Sequence, residues 1–217
     1  MQSYPGLFIT FEGCEGCGKS TQARLLHQNL KNHNLPSLLT QEPGGTPLGN
    51  KIRNILKVKR DFNISPGAEL FLFAACRSQL VTDVLQPALN AGKIVVCDRF
   101  SDSTVVYQGY ARGLDLHLIE SINDIATCGL KPDLTILLDT QPEQGLQRKC
   151  NSRADRFEAE DISFHRKIRE GYLALAQKEP ERWLVVQAQL PIKQLSRLIW
   201  EHLWPRLKMP GQGKDAG

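Results

Sequence analysis

Short apolar runs along the chain alternate with longer stretches in which apolar residues recur every three or four positions. Five such runs stand at Leu7 to Phe11, Ser37 to Thr40, Ile94 to Cys97, Leu134 to Leu138 and Trp183 to Val186. Each has the length of a buried strand and is too short for an ordinary helix. Helical spacing fills the intervals from Ser20 to Lys31, Leu48 to Lys57 and Asp115 to Thr127, and again from Pro191 to about Leu207, where Ile192, Leu195, Leu198, Ile199 and Leu203 form one stripe. Pro66 to Asn90 reads as a single long and largely buried helix, and Pro142 to Ser152 as a shorter one opened by its proline. Ser101 to Gly113 is polar and aromatic, with no clear period. This rhythm predicts an α/β domain, a parallel sheet covered by helices on both faces.

Composition narrows the class. With 217 residues and 41% apolar content, the chain has the size and core of one domain. No run of about 18 apolar residues is present to span a bilayer, and no signal-peptide core precedes the first strand, so a cytoplasmic protein is expected. The net charge of +4 is mild. Without a basic run or interleaved aromatics it points to small polyanionic ligands rather than nucleic acid. The six cysteines are scattered, and Cys14 and Cys17, although spaced C-x-x-C, read as loop positions rather than half of a zinc site. Lys208 to Gly217 is rich in Gly, Pro and polar residues, the composition of a disordered tail.

The strongest chemical signal follows the first strand. Gly13-Cys14-Glu15-Gly16-Cys17-Gly18-Lys19-Ser20, with Thr21 next, fits G-x-x-x-x-G-K-[ST] at every fixed position. Such a loop binds the phosphates of a nucleoside triphosphate: glycines let backbone N–H groups converge on oxyanions, Lys19 brings a charge to the β/γ-phosphates, and Ser20 offers a hydroxyl to Mg²⁺. Two strands end in aspartate, at Asp98 and Asp139. Asp98, followed at once by Arg99, is the better carboxylate for Mg²⁺, whereas Asp139 precedes Thr-Gln-Pro and reads as a helix N-cap. Arg77 stands inside the apolar Pro66 helix and either finds an anionic partner there or extends to the surface. Between Arg148 and Arg169 seven basic residues face four acidic ones, a solvated surface or a flap over phosphates.

No N-K-x-D stretch or D-x-x-G switch supports a GTPase. Further motifs carry a resemblance. Phe11-Glu12-Gly13, Thr40-Gln41-Glu42-Pro43-Gly44-Gly45-Thr46, Leu72-Phe73-Ala74-Ala75-Cys76-Arg77, Asp98-Arg99-Phe100 with Tyr107-Gln108-Gly109, and Arg153-Ala154-Asp155-Arg156-Phe157-Glu158 occur in order. Together, from about Leu7 to Leu203, the chain resembles thymidylate kinase.

The resemblance implies a nucleoside-monophosphate-kinase fold with sheet order 2-3-1-4-5, a single domain over residues 1–207 with a lid at about 148–162, and a homodimer. It implies transfer of the γ-phosphate of ATP to dTMP, giving dTDP, with Mg²⁺ held partly through water by Ser20 and Asp98. Phe73 would stack on thymine, Arg77 donate to its exocyclic oxygen, Gln108 read the ring N–H, and Thr104 lie near base and sugar. Arg53 and Arg99 would clamp the monophosphate, and Glu42 would stand beside the metal. Lys19, Asp98, Arg99 and the lid arginines Arg153 and Arg156 would carry catalysis. Glu15, an acidic residue inside a phosphate cradle, either points to solvent or, as in the bacterial class, accompanies a catalytic arginine in the lid. Gln41 departs from the arginine usual there. A kinase for another deoxynucleotide or a deoxynucleoside, and a nucleotide-binding protein without catalysis, remain as alternatives.

Overall fold

The computed structural model describes residues 5–58, 61–149 and 155–207. Arg153 and the tail from residue 208 lie outside the described residues. Within them, β1 (Leu7–Glu12), β2 (Ser37–Gln41), β3 (Ile94–Asp98), β4 (Leu134–Asp139) and β5 (Trp183–Gln187) pair in parallel in the order β2-β3-β1-β4-β5. The order expected from the resemblance is the order observed.

Parallel strands are joined through crossover helices, so the three central strands are covered on both sides and their sequences run apolar without a polar face. Alternation still assigns the layers. In β1, Phe8 packs with Leu80, Val81, Leu85 and Val95 on one face, while Ile9 and Phe11 pack with Leu26, Leu30, Ile136 and Ile199 on the other. The second face is closed by α1 (Lys19–Asn32) and α9 (Ile192–Leu207). Only Leu195, Ile199 and Leu203 of the expected α9 stripe are buried; Ile192 is 59% exposed and Leu198 40%. The seam is narrower than the spacing suggested, because α9 covers one edge of the sheet.

The segment read as one helix from Pro66 is α3 (Pro66–Leu80), a π-helical turn over Val81–Leu85 and α4 (Gln86–Asn90). Pro87 explains the change of winding, since it lacks the N–H that an α-helical ladder needs from that position. After β3 come α5 (Ser101–Thr104) and a π-helical stretch over Val105–Ala111, where the sequence offered no period. Val106, Tyr107, Gln108 and Gly109 are buried in succession, so no polar face marks the turns. The chain continues through α6 (Leu116–Thr127), capped by the Asp115 side chain, α7 (Pro142–Gln147), which ends earlier than expected, and α8 (Ile162–Lys178). α2 (Pro47–Lys57) follows β2, with Thr46 as its cap.

Candidate nucleotide and acceptor site

The loop after β1 takes the shape its glycines permit. Gly13, Gly16 and Gly18 have φ of 142°, 70° and 97°, values open to residues without Cβ. Gly16 also meets α7 at backbone distance: a Cβ there would run into the Gly145 carbonyl oxygen, and one on Gly145 into that of Glu15. Gly18 occupies the N-cap of α1 without a side chain, which leaves first-turn N–H groups available to an anion. The Lys19 ammonium folds back onto the Cys14 carbonyl at 2.9 Å, and Ser20 Oγ donates to the Asp98 carboxylate. Cys14 and Cys17 are buried free thiols, and burial pushes Cys14 up to about 12, far from a reactive thiolate.

Asp139 is not a helix cap. Its carboxylate accepts from Nε and NH2 of Arg169 at 2.7 and 2.8 Å, and Gln141 takes the N-cap position of α7. The two strand-end aspartates are thus separated by their partners, Ser20 for Asp98 and a helix arginine for Asp139.

The corner after β3 is held from within. Arg99 has φ of 71°, a left-handed conformation costing a non-glycine residue about 1–3 kcal/mol. Its N–H donates to Phe11 O at 2.9 Å, and the Phe100 ring packs edge-on against Phe8 with centroids 4.9 Å apart. Glu12, fully buried, accepts from Phe100 N–H at 2.8 Å, Ser103 Oγ at 2.6 Å and Tyr172 Oη at 2.8 Å. Burial, reinforced by the nearby Asp102 charge and opposed by Arg99, raises this carboxyl to about 7.

Glu15 turns inward, against the expectation that its side chain faces solvent. It accepts from Arg99 NH2 at 2.6 Å and Tyr107 Oη at 3.0 Å, with Lys149 Nζ at 3.5 Å. Burial alone would raise its pKa; Arg99, Lys19, Lys149 and Lys57 together hold it well below the usual carboxylate range. Its described cationic partners are thus Arg99 and Lys149, and Arg153 falls outside the described residues. Arg156 donates to Glu69 at 2.5 Å and Leu56 O at 2.8 Å.

One cavity of about 350 Å³ joins these pieces. Glu15, Gly16, Gly18, Lys19, Ser20 and Thr21 line it from the loop; Glu42, Arg53, Phe73, Asp98, Arg99, Thr104 and Gln108 line it from other elements. Gly13, Cys14, Cys17, Arg77 and Arg156 do not reach its surface. Arg77 resolves the choice left by its sequence position. It is 1% exposed and donates to Glu42 at 2.8 and 3.0 Å, Asn123 at 2.6 Å and Thr104 at 2.8 Å, so it braces two lining residues from behind. Arg53 donates to Pro43 O at 2.7 Å. Arg148 and Lys149, read from the sequence as part of the basic flap, line the cavity too, as do Ser103, Tyr107, Lys57 and Phe157, to which the sequence assigned no role. A signal for Tyr107 was present, beside Gln108 in the same motif.

Two buried oxygens of lining residues, Glu42 Oε1 and Gln108 Oε1, have no partner among the described protein groups. The hydroxyl and carboxylate oxygens of Ser20 and Asp98 are hard donors of the kind Mg²⁺ takes when phosphates and water complete its shell. These two residues fit the metal that the loop motif implies.

Comparison with known proteins agrees with this architecture. The family model described as thymidylate kinase matches residues 11–199. A thymidylate kinase of Dehalococcoides mccartyi is 50% identical over 204 residues, 94% of this chain and 99% of the relative. One from Syntrophus aciditrophicus is 48% identical over 214 residues, covering 95% and 98%. The crystal structure of thymidylate kinase from Ehrlichia chaffeensis superposes with a TM-score of 0.74 at 33% identity, over 92% of this chain and 98% of that one. With a phosphate loop, a β2-β3-β1-β4-β5 sheet, and a match spanning nearly its whole length, the chain belongs to the thymidylate kinase family.

Proposed function

We propose that this protein transfers the γ-phosphate of ATP to dTMP, giving dTDP. The observation that carries the reading is the single cavity in which Lys19, Ser20 and Asp98 share walls with Phe73, Gln108 and Arg53. The first set suits a triphosphate, the second a pyrimidine monophosphate.

The acceptor needs no strong base. A phosphate monoester has its second pKa near ~6, so the attacking oxygen is already anionic at neutral pH. The barrier comes from bringing two anions together and from charge on the transferring group; catalysis is therefore positioning and charge stabilisation. Lys19 and the amino end of α1 hold the donor phosphates. Ser20 and Asp98 would hold Mg²⁺, which when bound neutralises phosphate charge. Arg53 and Arg99 orient the acceptor phosphate, with Glu15 fixing the Arg99 guanidinium from the donor side. Phe73 stacks on the base, and Thr104 and Gln108 line its edge. Arg148 and Lys149, at the start of the lid segment, bring positive charge to the cavity, a role that the sequence suggested for Arg153 and Arg156.

A homodimer is part of the same proposal. It is supported by exposed apolar side chains on the packed neighbours α3 and α6, namely Phe71 at 64%, Leu118 at 52% and Ile125 at 79%. No helix among the described residues is long and apolar enough to cross a membrane.

ADP release measured with ATP, Mg²⁺ and each candidate acceptor tests the activity. Release is expected with dTMP and not with thymidine, whose 5′-hydroxyl would need a base. Turnover of thymidine without dTMP would instead support a nucleoside kinase.

A further inference from the structure

The turn that follows the Arg99 corner is anchored at each of its four residues. α5 runs directly into the π-helical stretch over Val105–Ala111. The Ser101 carbonyl accepts from Asn123 Nδ2 at 3.3 Å, Ser103 Oγ donates to Glu12 at 2.6 Å, and Thr104 Oγ1 accepts from Arg77 at 2.8 Å. Ser103 and Thr104 line the cavity, whereas Asp102 does not. Its carboxylate turns toward the start of β5, where it accepts from Arg182 NH1 at 2.7 Å and NH2 at 3.0 Å.

Arg182 is itself held in place. Its Nε and NH2 donate to Glu179 at 2.9 and 3.2 Å, its NH1 donates to Thr135 Oγ1 at 2.7 Å, and its guanidinium lies 5.0 Å from the centroid of the Trp183 ring. Thr135 is fully buried in β4; its hydroxyl donates to Asp102 at 3.3 Å and lies 3.0 Å from that of Thr10 in β1. A polar chain thus ties α5 to two strands of the sheet and to the residue that opens a third. Arg182, like Asp102, does not line the cavity.

Successive side chains leave a helix about 100° apart, so fixing Asp102, Ser103 and Thr104 on three different partners sets the rotation of the turn as well as its place. The anchor at Asp102 constrains most, because two parallel N–H···O bonds between a guanidinium and a carboxylate fix orientation along with distance. Asp102 also stands near the buried Glu12 carboxylate, whose proton affinity it raises. Without Arg182, a second uncompensated carboxylate would be buried beside Glu12, and the turn would be drawn toward water, away from the Glu12 contact with Ser103.

We infer that Arg182 is a positioning residue for the acceptor nucleotide: through its fork on Asp102 it fixes α5 as a wall of the cavity. The Arg99 guanidinium depends on the same wall, since its NH1 donates to Ser103 Oγ at 3.2 Å. Loss of the fork therefore loosens the group that clamps the acceptor phosphate. The donor side is built separately: Lys19 and Ser20 stand on α1 and, among the described residues, make no hydrogen bond to Asp102 or Arg182. The inference rests on the dTMP kinase reading, and it places the effect on the acceptor alone.

The test is the equilibrium Kd for dTMP and, separately, for ADP with Mg²⁺. In Arg182→Gln and in Asp102→Asn, dTMP should bind about 10-fold more weakly while ADP stays within about 2-fold of wild type. The double variant should be no more than about 2-fold weaker than either single one, because both changes break one pair. A role in folding alone would lower Tm and leave both constants of the folded protein in place. Unchanged dTMP binding, equal weakening of both ligands, or a full multiplicative loss in the double variant overturns the inference. If Arg182→Gln does not fold, Arg182→Lys keeps the charge and loses the fork. It is expected to weaken dTMP by about 3-fold with ADP unchanged, and dTMP binding at the wild-type level there also sinks the idea. Wild-type protein that does not bind dTMP refutes the functional reading and the inference together; wild type that binds dTMP, with variants that bind it equally well, refutes the inference alone.

Discussion

At the scale of single residues, the site is governed by carboxylates that face inward. Glu12, Glu15, Glu42 and Glu69 are all buried, and each accepts from a group at or beside the cavity: the Phe100 N–H of the Arg99 corner, the Arg99 guanidinium, Arg77, and the Gln108 amide. The sequence made the cations legible, because Lys19 sits in a fixed motif and the arginines recur beside motifs of the resemblance. It left their partners illegible, because those pairs form between residues 35 to 160 positions apart, as with Glu42–Arg77 and Glu12–Tyr172. Glu12 yields a pH prediction. The folded protein keeps this proton up to about pH 7, while an unperturbed glutamic acid releases it near 4.5. The native state thus binds more protons than the unfolded chain across that window, and the contribution of Glu12 to stability, full below pH 4.5, is lost as pH rises to about 7. Burial raises this value most; Asp102 raises it further, and Arg99, Ser103 and Tyr172 lower it. Urea unfolding from pH 4.5 to 8 should show wild-type stability falling by a few kcal/mol relative to Glu12→Gln between those limits, and a constant difference above them. A constant difference across the whole range would show that Glu12 is ionised throughout.

At the scale of elements, strands were the most legible part of the chain. A strand buried on both faces writes itself as a short apolar run, and all five runs became strands within one residue of their expected ends. Helices were legible where one face stays wet, as in α1 and α6. They were obscured where every face is covered, as over Val105–Ala111, or where a proline changes the winding, as at Val81–Leu85. The position of α7 was invisible for a different reason. Gly145 matters through a backbone approach to Glu15 and Gly16 that leaves no room for a Cβ, and only a packed structure reveals such a contact. That approach makes α7 a wall of the phosphate loop. It also places Arg148 and Lys149, directly after α7, at the cavity.

At the scale of the whole molecule, the fold places ligand groups where an open α/β sheet collects them, beyond the carboxyl ends of its strands. The loops after β1, β2 and β3 all line the cavity. The cavity thus draws on elements far apart in sequence, while the outer faces of α3 and α6 carry the exposed apolar side chains Phe71, Leu118 and Ile125. Sedimentation equilibrium should give twice the 24.3 kDa chain mass at micromolar concentration, and Phe71→Asp should shift the protein toward monomer. A wild-type monomer at that concentration would remove the dimer from the account. Labelled phosphate follows the transfer itself directly. With ATP carrying ³²P at its γ position, Mg²⁺ and dTMP, the label should appear in dTDP, and Lys19→Ala should slow its appearance by on the order of 100-fold or more. Label released only as inorganic phosphate, or transferred to thymidine while dTMP stays unlabelled, would contradict the account.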